Sequence, residues 1–266
     1  MRAHPLRDIT ILFTILVVIF PIFPLLIWSV AGKWMYPDLL PSEYSFDNFI
    51  IYFNVYSMGD LIRNSIIVSL IVTAVSLMMG IVPAKFIGTN NFKGKTLVQT
   101  LTMLPVLGPA LTVLMGLMGV FIQLDIYRTV LSVIICEVIF LTPYAVMVLV
   151  PIFKNYDKDI EQQAATLGIN GLSSLLNIIL PSIRTGLAVC AMYVFMSSWA
   201  TYLAVSMFAP SGFDTVATML YPAIAYGQYS YSMMAALTVL FFIPSVIFLF
   251  ISTWIMGTDK INNQRV

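Results

Sequence analysis

Thr129–Ile152 reads TVLSVIICEVIFLTPYAVMVLVPI, with Glu137 as its single charged residue. At about 1.5 Å per helical residue, a run of this length crosses the roughly 30 Å hydrocarbon core of a bilayer. Inside that core only a helix, or a closed barrel, pairs every backbone polar group. Five further apolar stretches of comparable length lie near 9–31, 61–87, 97–122, 186–208 and 232–256. The whole chain of 266 residues is 60% apolar and 9% charged, with a mean hydropathy of +0.95. Soluble domains average about 45–50% apolar and about 25% charged. The sequence therefore predicts an all-α integral membrane protein with six transmembrane helices.

A net charge of +1 leaves no basic patch for a nucleic acid. Cys136 and Cys190 sit inside apolar runs without metal-ligand spacing and read as small buried residues. The first apolar run follows Arg2 and Arg7. It is longer than a signal-peptide core and closes without an A-x-A-like cleavage site, so it reads as a retained anchor.

Basic residues set the orientation. With the N-terminus in the cytoplasm, that side receives Arg2, Arg7, Lys85, Lys93, Lys95, Lys154, Lys158, Arg184, Lys260 and Arg265, against Lys33, Arg63 and Arg128 outside. The bias predicts both termini on the cytoplasmic side. Outer loops then cover 32–60 and 209–231. GTNNFKGK forms a short inner turn.

The inner stretch 153–185 is longer than a turn requires. DKDIEQQAATLG has the ends of a short helix: Asp159 as N-cap, Gln162 three residues on as in a capping box, and Gly168 for the left-handed stop. Ile160, Ala164 and Leu167 share one face at helical spacing. Eight or so residues give a rod of about 12 Å, marginal alone and in need of a partner surface. The segment reads either as a docking element or as an amphipathic helix lying against the membrane or its own bundle. After Gly168, GLSSLLNIIL runs to Pro181, which stops or kinks it before the next span.

From Glu161 to Pro181 the segment resembles the cytoplasmic signature of permease subunits of binding-protein-dependent ABC importers: E-A-A, three residues, G, nine residues, I, one residue, L-P. The spacing is met without a gap by Gln162, Gln163 and Ala164, then Gly168, then Ile178, Leu180 and Pro181. Gln162 and Gln163 stand where the signature has an acid and its first alanine, and Glu161 supplies an acid one position earlier. LIRNSIIVSL, MLPVLGPALTVLMGL and SSWATYLAVSMFAPSGFDTVATMLYPAI extend the likeness over roughly residues 60–255, closest in look to the spermidine/putrescine-type branch.

The resemblance implies a type I ABC importer permease (MetI-like) fold. It divides the chain into an anchor helix and outer loop (1–59), the transmembrane domain (60–256) with its coupling segment (153–185), and a tail (257–266). It further implies two ATP-binding subunits, a second permease subunit of the same or a different chain, and an extracytoplasmic substrate-binding protein. ATP and Mg would belong to the ATPase partners, with no cofactor on this chain, which lacks G-x-x-x-x-G-K-[ST]. Glu161, Gln162, Gln163, Ala164, Leu167, Gly168, Ile178, Leu180 and Pro181 would carry ATPase coupling. The solute would be a polyamine, phosphonate, iron or similar small polar species, with sugars sharing the architecture.

Within the membrane, Glu137 must face the bundle interior or a cavity, as a substrate or relay group or as a hydrogen-bonded structural carboxyl. Ser197, Ser198, Trp199, Thr201 and Tyr202 gather polar and aromatic groups mid-span. They read as pathway residues or as helix–helix hydrogen-bonding groups, and Asn64 belongs to the same two readings. Gly108–Pro109 and Gly116 with Gly119 point to a break, a kink or close helix packing in the third span. Pro83, Pro105 and Pro143 are kink positions. His4 has no partner in sequence, and no nucleophile–base set is present, so the chain reads as no enzyme. An ion-coupled secondary transporter is the alternative; it calls for internal repeats and several intramembrane acids, and only Glu137 lies mid-span.

Overall fold

The computed structural model describes residues 13–14, 16–17, 19–34, 38, 40–227 and 229–262, with side-chain surroundings through Thr253. Arg2, His4, Arg7, Arg265, the start of the first apolar run and the end of the tail lie outside the described residues.

The fold is almost entirely helical. In chain order the helices are α1 (Ile22–Ser29), α2 (Asp47–Asn54), α3 (Met58–Thr89), α4 (Lys95–Thr102), α5 (Leu104–Leu107), α6 (Ala110–Gln123), α7 (Val130–Lys154), α8 (Lys158–Thr166) and α9 (Gly171–Ser174). A π-helical turn (Leu175–Ile179) follows, then α10 (Leu180–Ser182), α11 (Arg184–Trp199), α12 (Leu203–Phe208), α13 (Val216–Tyr226) and α14 (Tyr231–Asn262). Beside the helices, a short β1 (Ala31–Lys33) pairs antiparallel with β2 (Glu43–Tyr44) in the first loop.

Among the described residues, α3, α7 and the part of α14 up to Thr253 are long and apolar enough to span a bilayer by themselves. Segments α9–α10 and α11 form a bent pair, turned by 83°, that counts as a fourth. The expected third span, 97–122, is instead three helices. Pro105 opens α5, and Gly108 adopts an extended ψ of 159° ahead of Pro109. A proline lacks the N–H that would continue the ladder and pushes its predecessor out of the helical region. The expected fifth span, 186–208, likewise breaks after Trp199 into α11 and α12. By contrast, α3 runs through Pro83 and α7 through Pro143 as continuous helices.

Two compact units emerge, residues 1–62 with 218–244, and 63–217 with 245–266. In the first, Trp34 lies 5.2 Å from Trp28 and 5.5 Å from Tyr231, while Tyr56 lies 5.6 Å from Tyr52 and 5.7 Å from Tyr229. Buried Tyr52 donates to the Met233 carbonyl at 3.0 Å. Burial, and then the neighbouring Tyr229 and Tyr56, push its phenol well above the ordinary range.

The second unit is organised on α7. Thr129 caps it with a capping box to Ser132, and Val133, Cys136, Ala145, Leu149 and Phe153 are all fully buried along its length. Lipid tails are as apolar as these side chains, so close packing rather than water exclusion holds such helices together. Close packing shows at the glycines. A Cβ on Gly88 would lie 2.6 Å from Phe153 Cβ and 2.8 Å from the Val150 carbonyl, and one on Gly186 would lie within 2.9 Å of three Ile152 side-chain atoms. The end of α7 is thus held by α3 and α11. At Gly116 and Gly119 nothing among the described residues comes within 4 Å, so the close packing expected there falls elsewhere within this chain.

Candidate functional site

Two clusters in the second unit gather the polar residues singled out by sequence. The first is the segment 157–183. Helix α8 begins two residues earlier than expected: Asp157, not Asp159, is the N-cap, and its carboxylate accepts from the Asp159 N–H at 2.9 Å. Asp157 has the extended backbone a cap needs, ψ 110°, whereas Asp159 is already inside the first turn. There its charge, with that of Glu161, meets the positive end of the helix dipole. The shift puts Ile160 at the third helical position in place of Gln162, so the expected capping box does not form.

The C-terminus follows the sequence closely. Gly168 takes φ +80°. Its N–H reaches the Ala165 carbonyl at 3.0 Å and the Ile169 N–H reaches Ala164 at 3.1 Å, the paired bonds of a Schellman stop.

The faces of α8 differ from the expected stripe. Ala164 is 5% exposed, but Leu167 is 80% and Ile160 45% exposed. The inner face is set by Ala164 with Glu161, whose Oε1 accepts from Lys85 Nζ of α3 at 2.6 Å. Lys158 Nζ adds a bond to Asn90 Oδ1 at 3.3 Å. A recess of about 270 Å³ lies between, lined by Lys85, Thr89, Lys158, Glu161, Gln162 and Ala165. Tyr156, beside it, has its pKa raised by burial first and then by the charges of Glu161 and Asp157. Outward, Leu167, Ile169 and Leu172 form an exposed apolar edge.

Beyond the stop, the Asn170 side chain accepts from the Ser173 N–H at 2.8 Å and starts α9. Pro181 sits in α10, directly after the π-helical turn that contains Ile178. The sharp 83° turn follows at Ile183, two residues past the proline. Leu180 is half-buried and Ile178 is partly covered.

The second cluster lies inside the bundle. Glu137, on α7, is 2% exposed and its Oε2 accepts a hydrogen bond from the Ser198 hydroxyl of α11. Its Oε1 has no partner among the described residues. A cavity of about 160 Å³ adjoins, with Leu114, Glu137, Phe140, Leu141, Thr201 and Ala204 in its wall. Of the sequence candidates, the structure therefore brings Glu137, Ser198 and Thr201 together.

The others separate. Trp199, 2% exposed, belongs to an aromatic stack, with Phe195 6.3 Å away and Phe195 in turn 4.0 Å from Phe248. Ser197 offers its carbonyl to the Thr201 hydroxyl at 2.9 Å, and Tyr202 is the residue before α12. Asn64 binds the Asp214 carbonyl at 3.1 Å. Cys136 and Cys190 are buried free thiols. Sequence reading missed Lys85, Gly88 and Gly186; their role depends on neighbours far away in the chain.

A multi-pass helical bundle that extends a capped, partly exposed helix between two of its spans has the architecture of a membrane permease. The chain belongs to the family described as "Binding-protein-dependent transport system inner membrane component", which it matches over residues 76–266. It is the membrane subunit of an ABC importer, a transport component and not an enzyme. It is 27% identical over 240 residues to the inner membrane ABC transporter permease protein YcjP of Escherichia coli K12, covering 88% of this chain and 86% of that protein. It is also 26% identical over 161 residues to the trehalose transport system permease protein SugB of Mycobacterium tuberculosis, covering 60% of this chain and 59% of that one. A crystal structure of a bacterial ABC transporter that imports the acidic polysaccharide alginate shares the fold, with a TM-score of 0.70 at 14% identity over 95% of this chain and 98% of that one.

Proposed function

We propose that the chain forms half of the translocation pathway of an ATP-driven importer for a saccharide or short oligosaccharide. It does so together with a second permease subunit and two ATPase subunits that bind ATP and Mg. A substrate-binding protein on the outer side delivers the solute, a reading supported by the family's description. The names of relatives favour sugars over the polyamine-type branch to which the sequence was likened. Both termini face the cytoplasm, as the distribution of Lys and Arg supports.

The observation that carries the coupling role is α8 itself. It is an N-capped helix ended by Gly168 at φ +80°, with Leu167 80% exposed beside the stop. An exposed apolar residue next to a fixed helix end suits insertion into a cleft on another protein. Gln162 and Gln163 are exposed on the same helix and stand at the motif's acid and first-alanine positions. Closure of the ATPase pair on ATP then moves α8 and tilts the spans between outward- and inward-facing states, an alternating-access change. Glu137 and Thr201 are the pathway candidates that share a cavity, with Ser198 bonded to Glu137.

The test has two arms. Gly168→Asp in the reconstituted complex should abolish stimulation of ATPase by the binding protein while the complex still assembles; normal stimulation would remove α8 from the coupling role. The binding protein should gain thermal stability with trehalose or diacetylchitobiose. Stabilisation by spermidine and not by either sugar would return the solute to the polyamine class.

A further inference from the structure

Lys85 and Glu161 are 76 positions apart, yet they meet at 2.6 Å, each side chain about 30% exposed. Twenty residues before Lys85 on the same helix, Ser65 is buried and its hydroxyl accepts the Val216 N–H at 2.9 Å. Next to it, Asn64 donates to the Asp214 carbonyl. Twenty helical residues span about 30 Å, the thickness of a bilayer core. Helix α3 thus carries one polar joint at each membrane face, to α8 at one end and to residues 214–216, at the start of α13, at the other.

The rod between these joints is held against bending. Pro83 removes a ladder bond just before Lys85 and would weaken an isolated helix there. On either side of it a glycine lets α7 come close to the α3 backbone. A Cβ on Gly80 would lie 3.1 Å from Ala145 Cβ, and one on Gly88 would meet Phe153 and the Val150 carbonyl. The soft point is therefore splinted. A packed interface of this kind shifts as a body and does not flex continuously.

We propose that α3 is the element that carries movement of α8 across the membrane, with Lys85 as the positioning residue that fastens α8 to it. The Lys85–Glu161 pair is the inner joint; Ser65 and Asn64 make the outer one. This assigns Glu161 a task different from contact with an ATPase: it is bound within its own chain, and Leu167 and its apolar neighbours are left to meet the partner. A partly exposed ion pair contributes little to stability, so its value lies in fixing direction and register. The proposal rests on the importer reading above, in which ATP-driven closure displaces α8.

The experiment uses the reconstituted complex with Ser211→Cys, an exposed loop residue near the outer joint. Labelling by a membrane-impermeant maleimide is timed before and after trapping with ATP and orthovanadate. The parent should show a several-fold change in labelling rate on trapping. Lys85→Glu and Glu161→Lys should each abolish that change in an assembled complex, and the combined exchange should restore it. Lys85→Gln should reduce it with smaller disturbance to folding. Ser65→Ala should also reduce it, from the other end. If Lys85→Glu or Lys85→Gln keeps the full change, α3 is not the carrier. If the exchange fails to restore what the single variants lose, the joint is not an ion pair. No change in the parent itself would instead remove the ATP-driven reading on which the proposal stands.

Discussion

The segment 157–183 and the Glu137–Ser198 pair both place polar groups in an apolar protein, but by opposite means. In the segment, polarity is sequential and mostly exposed. Asp157, Asn170 and Gly168 act on backbone within three residues of themselves, and two long side chains, Lys85 and Lys158, tie the rod to the bundle. At Glu137 polarity is isolated and buried, and its partner comes from another helix 61 positions away. An exposed polar group can lose a partner to water at small cost. A buried one leaves an uncompensated acceptor, at about 1–3 kcal/mol. The first region can therefore change with little effect on the bundle, while the second is constrained by it.

This contrast can be broken at three places. The largest stability loss is expected at Gly88→Ala, because the new methyl meets backbone at 2.8 Å and Phe153 Cβ at 2.6 Å. Overpacking of this kind costs about 3 kcal/mol, and α7, which carries Glu137 and leads into α8, would be displaced. Thermal unfolding in detergent should show a clear drop, with Gly116→Ala, which meets nothing within 4 Å, unchanged or slightly raised. An unchanged midpoint for Gly88→Ala would mean that the α3–α7 contact is looser than described.

Ser198→Ala comes next. It leaves both oxygens of Glu137 without a described partner and should lower stability by about 1–3 kcal/mol; Glu137→Gln, which retains an acceptor for Ser198, should lose less. Equal losses would argue that the pair is not the main fastening of that site. The smallest stability effect is expected for Leu167→Asp, within about 0.5 kcal/mol, since the side chain is 80% exposed. Its uptake defect should nevertheless be severe. A matching fall in stability would place Leu167 in this chain's own packing and not at a docking edge.

What could be read in the sequence follows the same division. The stop at Gly168 was legible because helix ends are written locally: one glycine able to take positive φ, placed after a helical run. The break at Gly108–Pro109 was legible for the same reason, whereas the stop or kink expected at Pro181 falls two residues later, at Ile183. The choice between Asp157 and Asp159 as cap was not, since two similar residues compete and the path of the chain leaving α7 at Asn155 decides. Hydropathy found the long spans α3, α7 and α14, but it counts apolar residues and cannot see where a span fractures into α4, α5 and α6. Glu137 was conspicuous as a lone charge, although its bond to Ser198 depends on how α7 and α11 cross. The glycines show the limit most plainly. Gly116 and Gly119 drew attention by their spacing, while Gly80, Gly88 and Gly186 are the ones that neighbouring helices touch.

The π-helical turn at Leu175–Ile179 bears on how the spacing from Gly168 to Pro181 should be counted. A π turn holds one residue more than the α-helix it interrupts, so the stretch between the two carries a residue of slack. Removing one residue, Asn177 for instance, would let the turn relax into ordinary α-helix without shortening the path by much. Yet each α-helical residue turns the chain by about 100°. The π turn absorbs that difference: it closes one revolution with its extra residue, so a deletion there keeps the direction in which Leu167 faces, while a deletion inside the α-helical part of the interval would swing it to another side.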